Sequence, residues 1–326
     1  MNFEIEILLI SFAVSVILGL ITIPILRKLK VGQIERDDGP SSHLKKQGTP
    51  TMGGIIIIIT MIIIVIAASI YLTSTKQVEV AKKLIPLLIL TIGFGLIGFI
   101  DDYKKLVLKN TDGLKPSYKM LGLLIISVIY VIYLIKGLKV GTETYIPIAK
   151  VFIDLPIYIY IPAAICVILA TTNAINLTDG IDGLSSSVST IIITCLTIIG
   201  MLNGIFEISI FGSVVIGAVL GFLMFNLHPS KVFMGDTGSL LLGGVISGMA
   251  LYLKMPLILL VIALIPVLET LSVILQVVYF KKTGKRIFKM APLHHHFELS
   301  GWKENKVVII FSLITLAVCV IGLKII

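Results

Sequence analysis

Apolar residues run along this chain in long blocks rather than in strict alternation. The stretch from Ile55 to Leu72 carries no charge at all, and similar runs recur with short polar breaks between them. A block of about 20 apolar residues is what a helix needs to cross the hydrocarbon core of a bilayer. Ten such blocks are read, near 5–26, 54–72, 84–100, 119–135, 157–175, 184–202, 206–225, 238–253, 256–280 and 307–325. The eighth is short. The ninth is long and contains Pro266, which predicts a kink or a tilt. Between the fourth and fifth, residues 137–156 alternate around Gly141 and Pro147, the pattern of a small surface hairpin. The expected fold is therefore an all-α integral membrane protein of about ten transmembrane helices. It forms one polytopic domain over 1–326, with no internal repeat.

Composition agrees with the pattern. The chain is 57% hydrophobic and 14% charged, against roughly 45–50% and about 25% in soluble domains. Glu4 and Glu6 precede the first block, while Arg27, Lys28 and Lys30 follow it. That order is the reverse of a cleaved leader and places the N-terminus outside the cytoplasm. Ten spans leave five loops on the other side, near 27–53, 101–118, 176–183, 226–237 and 281–306. These hold 18 of the 27 lysines and arginines, so the positive-inside rule puts them in the cytoplasm and both termini outside. Topology accounts for most of these cations, and no nucleic-acid partner is expected. Basic loops also suit anionic lipid headgroups and phosphorylated substrates. Cys166, Cys195 and Cys319 lie in apolar stretches without metal-like spacing, which reads as packing.

The aspartates change the picture, because they contribute little to topology. Eight of nine fall in the same five loops: Asp37, Asp38, Asp101, Asp102, Asp112, Asp179, Asp182 and Asp236. In "GFIDDYKK", Asp101 and Asp102 end a helix where the macrodipole disfavours negative charge, so a divalent cation or nearby lysines must compensate. In "NAINLTDGIDGL", Asn173, Asn176, Asp179 and Asp182 surround Gly180 and Gly183 and suit a tight turn. Asp182 is also placed to start the next helix. Two carboxylates in so short a connection, with no cation, are costly at a membrane surface unless they bind something. In "NLHPSKVFMGDTGS", Asp236 is placed to cap the eighth helix, and Phe233 is a stacking platform or an interfacial anchor. In "SSHLKKQGTPTMGG", Lys45 and Lys46 precede Gly53 and Gly54, whose amides at a helix start would suit phosphate. "PLHHHFELSGW" sets His294, His295 and His296 in a row. Consecutive side chains cannot share one helix face, and a catalytic zinc site usually draws its ligands from separated positions. Phosphate or proton handling is the stronger reading. Carboxylates, lysines and histidines gathered on one face fit Mg²⁺-assisted phosphoryl transfer, since Mg²⁺ binds a few carboxylates together with substrate phosphates.

The motifs "GTPTMGG", "DDYKK", "NAINLTDGIDGL", "FMGDTGSL" and "APLHHHFELSGW", in that order over nearly the whole chain, resemble the bacterial phospho-N-acetylmuramoyl-pentapeptide transferases. These form a branch of the polyprenyl-phosphate sugar-1-phosphate transferases. The resemblance implies attack of undecaprenyl phosphate on UDP-N-acetylmuramoyl-pentapeptide, giving lipid I and UMP for peptidoglycan synthesis. It implies Mg²⁺, a homodimer and the bacterial inner membrane. It also implies roles. Asp236 is a metal ligand, and Asp101 and Asp102 bind metal or deprotonate the lipid phosphate. His294 belongs to the active site, with His295 and His296 beside it. Asn173, Asn176, Asp179, Gly180, Asp182, Asn226 and Phe233 surround the nucleotide, with Phe233 against uracil. Lys46, Lys105, Lys119 and Gln276 make further substrate contacts.

A phosphate monoester is mostly a dianion at neutral pH, its second pKa being about 6, so a strong base is scarcely needed. Direct displacement is expected over a covalent intermediate on Asp101 or Asp102. Two other readings remain from the sequence. The sister branch would use UDP-N-acetylglucosamine. A transporter would place its charges at mid-membrane, often with repeats; here Glu269 is the main ionisable residue deep in a span.

Overall fold

The computed structural model of the protein describes residues 3–29, 46, 48–106, 108 and 113–326. Asp37, Asp38, Lys45 and Asp112 lie outside the described residues. The first four helices are α1 (Phe3–Lys28), α2 (Gly54–Ser74), α3 (Val78–Leu106) and α4 (Pro116–Lys136). The hairpin β1 (Glu143–Ile146) and β2 (Val151–Asp154) follows, paired antiparallel with Thr144 opposite Ile153. Then come α5 (Ile157–Thr178), α6 (Leu184–Leu202), α7 (Phe206–Asn226) and α8 (Gly235–Tyr252). A 3₁₀ turn (Pro256–Ile258), α9 (Leu259–Ile262), α10 (Leu264–Thr283), α11 (Leu293–Glu298) and α12 (Glu304–Ile325) complete the described chain.

Among the described residues, nine helices are long and apolar enough to cross a membrane, which makes this a multi-pass helical membrane protein. The expected eighth span is present as α8 but falls outside those nine, for a physical reason. Every residue from Thr237 to Tyr252 is buried. A helix walled in by protein needs no lipid-facing hydrocarbon, so α8 carries glycine, serine and threonine where its neighbours carry isoleucine. The expected ninth span is broken at Ala263, between α9 and α10. Pro266 would clash with the carbonyl of residue 262 in a continuous helix. In the first turn of α10 its missing N–H costs nothing.

Small residues set the packing, as expected where lipid is the competing solvent. Ser11, Ser15 and Gly19 form one buried stripe of α1 at a spacing of four. Ser11 and Ser15 donate to the carbonyls of Val214 and Ala218 on α7, at 2.6 and 2.7 Å. Gly217 and Gly221 of α7 lie against the α1 backbone, where a Cβ would collide. Of the cysteines, Cys195 and Cys319 are buried as expected, but Cys166 is exposed on α5.

The hairpin marks one end of the bundle. The Tyr145 amide donates to the Lys254 carbonyl at 2.8 Å, and its hydroxyl donates to the Ile325 carbonyl at 3.0 Å. Phe3 stacks on Tyr71, near the end of α2 remote from Gly54. The first and last described turns therefore lie at the hairpin end. The aspartate-bearing loops lie at the opposite end.

Candidate active site

The C-terminal turns of α3, the start of α8, the start of α4 and the end of α5 meet at that second end. Close approach is built in. A Cβ on Gly98 would collide with the Asp236 carbonyl, and one on Gly54 with the backbone of Gly238. These glycines let α2 and α3 bring their ends against the N-terminus of α8.

Asp102 then meets exposed donors of α8. Its Oδ2 accepts from the Thr237 amide at 2.9 Å and the Thr237 hydroxyl at 2.6 Å, and its Oδ1 accepts from the Asp236 amide at 3.2 Å. A helix start leaves such amides without internal partners, and it favours negative charge. Asp102 thus caps α8 from a different helix, a role expected for Asp236. Both of its oxygens, expected to bind metal or a proton, are turned to this task.

Asp101 and Asp236 form the open part of the site. The Lys105 ammonium donates to Oδ2 of Asp101 at 2.8 Å and of Asp236 at 3.3 Å. The Lys119 ammonium donates to the same two atoms, at 3.3 and 2.6 Å. Oxygens from two helices thus converge on the same positive charges. Asp101 Oδ1 accepts from the Leu114 amide at 2.7 Å, and Asp236 Oδ1 from the Asn176 side chain at 2.8 Å. The lysines supply the compensation that the sequence required of a paired carboxylate at a helix end.

The α5–α6 connection adds Asp179 and Asp182. Asp179 lies just past the end of α5. Desolvation, and then the charges of Asp236, Asp102 and Asp182, push its carboxyl well above the usual range. Asp182 does not start α6, whose flanking residue is Gly183 at φ 75°. It accepts from Lys46 Nζ at 2.8 Å and from the Ser230 amide at 3.2 Å, and lies 2.9 Å from His228 Nδ1. Glu304, at the start of α12, accepts from Lys46 Nζ at 2.5 Å and from the Asp182 amide at 2.6 Å. Asp182, His228 and Glu304 bring ligand atoms within 4.8 Å of one another. The Lys46 ammonium already sits among them and offsets one of the two carboxylate charges. The same ammonium lies 6.0 Å from the centre of the Phe233 ring.

His294 is fully buried. Its Nδ1 lies 3.2 Å from Oε2 of Glu269, and a Cβ on Gly180 would collide with its Nε2. The other two imidazoles take different polar partners, although the His295 ring stays 4.1 Å from the His294 ring, centre to centre. His295 Nδ1 lies 3.0 Å from Glu298, and His296 Nδ1 accepts from the Lys289 amide at 3.1 Å.

The site thus joins Asp101, Asp102, Lys105, Lys119, Asn176 and Asp236 in one bonded group. Lys46 and Asp182 form a second group, and Gly180 with His294 a third. Other expected site residues are engaged locally. Asn173 donates to the Leu169 carbonyl at 2.7 Å. Asn226 accepts from Ser186 at 2.7 Å and donates to the Val232 carbonyl at 3.0 Å. Gln276 fastens the following loop through Ile287 and Phe288. The amides of Gly53 and Gly54, expected to face phosphate, donate to the carbonyls of Phe233 and Met234. The sequence reading missed Glu304 and His228. It noted Glu269 without a partner, although an acid inside an apolar helix is a sufficient signal to look for one.

Residues 84–254 match the glycosyl transferase family 4, and residues 46–58 match signature 1 of the phospho-N-acetylmuramoyl-pentapeptide-transferases. A phospho-N-acetylmuramoyl-pentapeptide-transferase of Acetivibrio thermocellus is 47% identical over 316 residues, covering 96% of this chain and 92% of its own. One of Clostridium perfringens is 50% identical, covering 97% and 94%. One of Halalkalibacterium halodurans is 47% identical, covering 93% and 91%. This chain belongs to the phospho-N-acetylmuramoyl-pentapeptide transferase family.

Proposed function

We propose that the protein transfers phospho-N-acetylmuramoyl-pentapeptide from its UDP-linked donor to undecaprenyl phosphate, forming lipid I and UMP. The observation that carries this is the convergence of Asp101 and Asp236 on two shared ammonium groups beside Asn176. The basic loops at this end support placing it in the cytoplasm of a bacterium, with the hairpin and both termini outside the inner membrane. The exposed apolar faces would meet membrane lipid or a second copy in a homodimer.

The residues fit Mg²⁺. The donors are carboxylate oxygens, which Mg²⁺ prefers. Two of them already point at one region of positive charge, and Asp179, raised first by burial and then by the charges of Asp236, Asp102 and Asp182, adds a further carboxyl close by. Asp101 and Asp236 would hold the ion. When bound, it neutralises the pyrophosphate and stabilises departing UMP. Lys105 and Lys119 keep the two carboxylates in register and supply cations for phosphate. Lys46, held between Asp182 and Glu304, presents its charge beside Phe233, which supports a nucleotide position there.

Direct attack by the lipid phosphate is favoured. A covalent route needs a carboxylate oxygen free to attack phosphorus. Asp102 has both oxygens on the start of α8, and Asp101 is 2% exposed, with Oδ1 taken by the Leu114 amide and Oδ2, now facing the lysines, the atom that a bound ion would take. No burst of UMP is expected without lipid acceptor.

The test is UMP release by detergent-solubilised protein given undecaprenyl phosphate, Mg²⁺ and either the muramoyl-pentapeptide or the N-acetylglucosamine donor. Turnover of the first alone, lost with EDTA and in Asp236→Ala, is the expected result. Turnover of the second alone would move the protein to the sister branch.

A further inference from the structure

Glu269 lies in α10, fully buried, in a helix whose other faces largely meet lipid. An acid at that depth is expensive and calls for a specific partner. It has two. Oε1 accepts from the backbone N–H of His294 at 3.2 Å, and Oε2 lies 3.2 Å from Nδ1 of the same residue. The second contact is poorly directed, as catalytic contacts often are before substrate binds.

An ionised carboxylate only accepts, and in that form Glu269 favours the ring proton on the Nδ1 side. Nε2 is then the ring atom left to act. Among the described residues it is buried without a partner, and it points at Gly180, one residue from Asp179. Any side chain at 180 would fill the space in front of it. The His295 ring, 4.1 Å away centre to centre, limits rotation of the imidazole.

We propose that Glu269 is a positioning residue for the transfer: it holds Nδ1 of His294 and leaves Nε2 as the ring atom that exchanges a proton or hydrogen bond with substrate. This rests on the reading of His294 as part of the active site.

The test begins with the protein labelled with ¹⁵N-histidine in detergent micelles, the His294 signals being identified by their loss in His294→Asn. In the unmutated protein Nδ1 is expected to carry the proton. In Glu269→Gln the amide oxygen still takes the backbone N–H, so its NH₂ turns toward Nδ1. The ring proton then moves to Nε2. In the UMP assay kcat of that variant falls at least about tenfold, while the donor KM stays within about threefold. A purely structural role would move neither the proton nor kcat alone. The proposal is overturned if His294 of the unmutated protein carries its proton on Nε2 only. It is equally overturned if Glu269→Gln keeps the original tautomer, or raises KM without lowering kcat. Should that variant not fold, the unmutated spectrum decides alone. If the protein releases no UMP from the muramoyl donor, the functional reading fails, while the spectra still decide the place of Glu269.

Discussion

Replacing Thr237 by Val should destabilise the protein although Thr237 is expected to touch no substrate. Its hydroxyl makes the shortest of the three hydrogen bonds to Asp102, at 2.6 Å, and it is fully buried. A hydrogen bond is worth about 0.5–1.5 kcal/mol net to a neutral group and about 1.5–3 to a charged one, so Thr237→Val should cost about 1–3 kcal/mol. Asp102→Asn should cost more. One amide oxygen can serve one donor group, but the NH₂ then faces an N–H. With its oxygen on the two Thr237 donors, the amide weakens two bonds, loses the one from the Asp236 N–H and leaves that donor unmet, about 3–5 kcal/mol in all. Both variants would be unfolded with dodecyl sulfate in mixed micelles, together with the double variant. Thr91→Val is the control, since the Thr91 hydroxyl bonds only carbonyls within its own helix. If Asp102 holds α8 as a cap, the double variant loses less than the sum of the singles, by about 1–2 kcal/mol. Strict additivity, or a Thr237→Val midpoint equal to that of the control, would refute the cap. Asp102 would then belong to the chemistry alone.

Other outcomes follow from the same geometry. Gly98→Ala must drive α3 off the Asp236 carbonyl, and should cost at least about 2 kcal/mol and most of the activity, read by the same unfolding and by UMP release. Glu304→Gln weakens the hold on Lys46, and should raise the donor KM about tenfold, or about 1.4 kcal/mol, with a smaller change in kcat. Asp179 has a folded pKa above its unfolded one, so it adds no penalty below about pH 3.9 and a growing penalty as pH rises through the folded value. Asp179→Asn should therefore stabilise the metal-free protein at pH 8 and not at about pH 4, and it should shrink the stabilisation given by Mg²⁺. Equal midpoints at both pH values would dismiss the crowding of charge at that position.

The hydropathy blocks located the helices because lipid is a demanding solvent for their outer faces. α1, α2, α4 and α12 could be read to within a few residues on that ground. The same logic weakened where protein replaces lipid. α8 is buried from Thr237 to Tyr252 and is not among the nine described helices apolar enough to cross a membrane, so its role as the hub of the site left little trace in the pattern. The break at Ala263 was also hard to see. Pro266 announces a disturbance, but whether the chain kinks or restarts is decided by what the preceding turn packs against.

The chemistry was legible as a set of residues and illegible as a set of bonds. Clustering of aspartates on one face identified the end of the bundle that carries the site, because topology does not require it. Which aspartate does what depends on partners more than 100 residues away. Asp102 and Asp101 are neighbours in sequence, yet one faces the amides of α8 and the other faces two lysines. Helical geometry turns adjacent side chains by about 100°, so a paired motif at the meeting point of three helices divides its work by construction. The three histidines follow the same rule: one turns inward to Glu269, while the others fasten the surface of α11. The short α11 helix therefore makes a repeated residue type perform different tasks. A charge inside an apolar helix is the strongest sequence signal that such an inward partner exists.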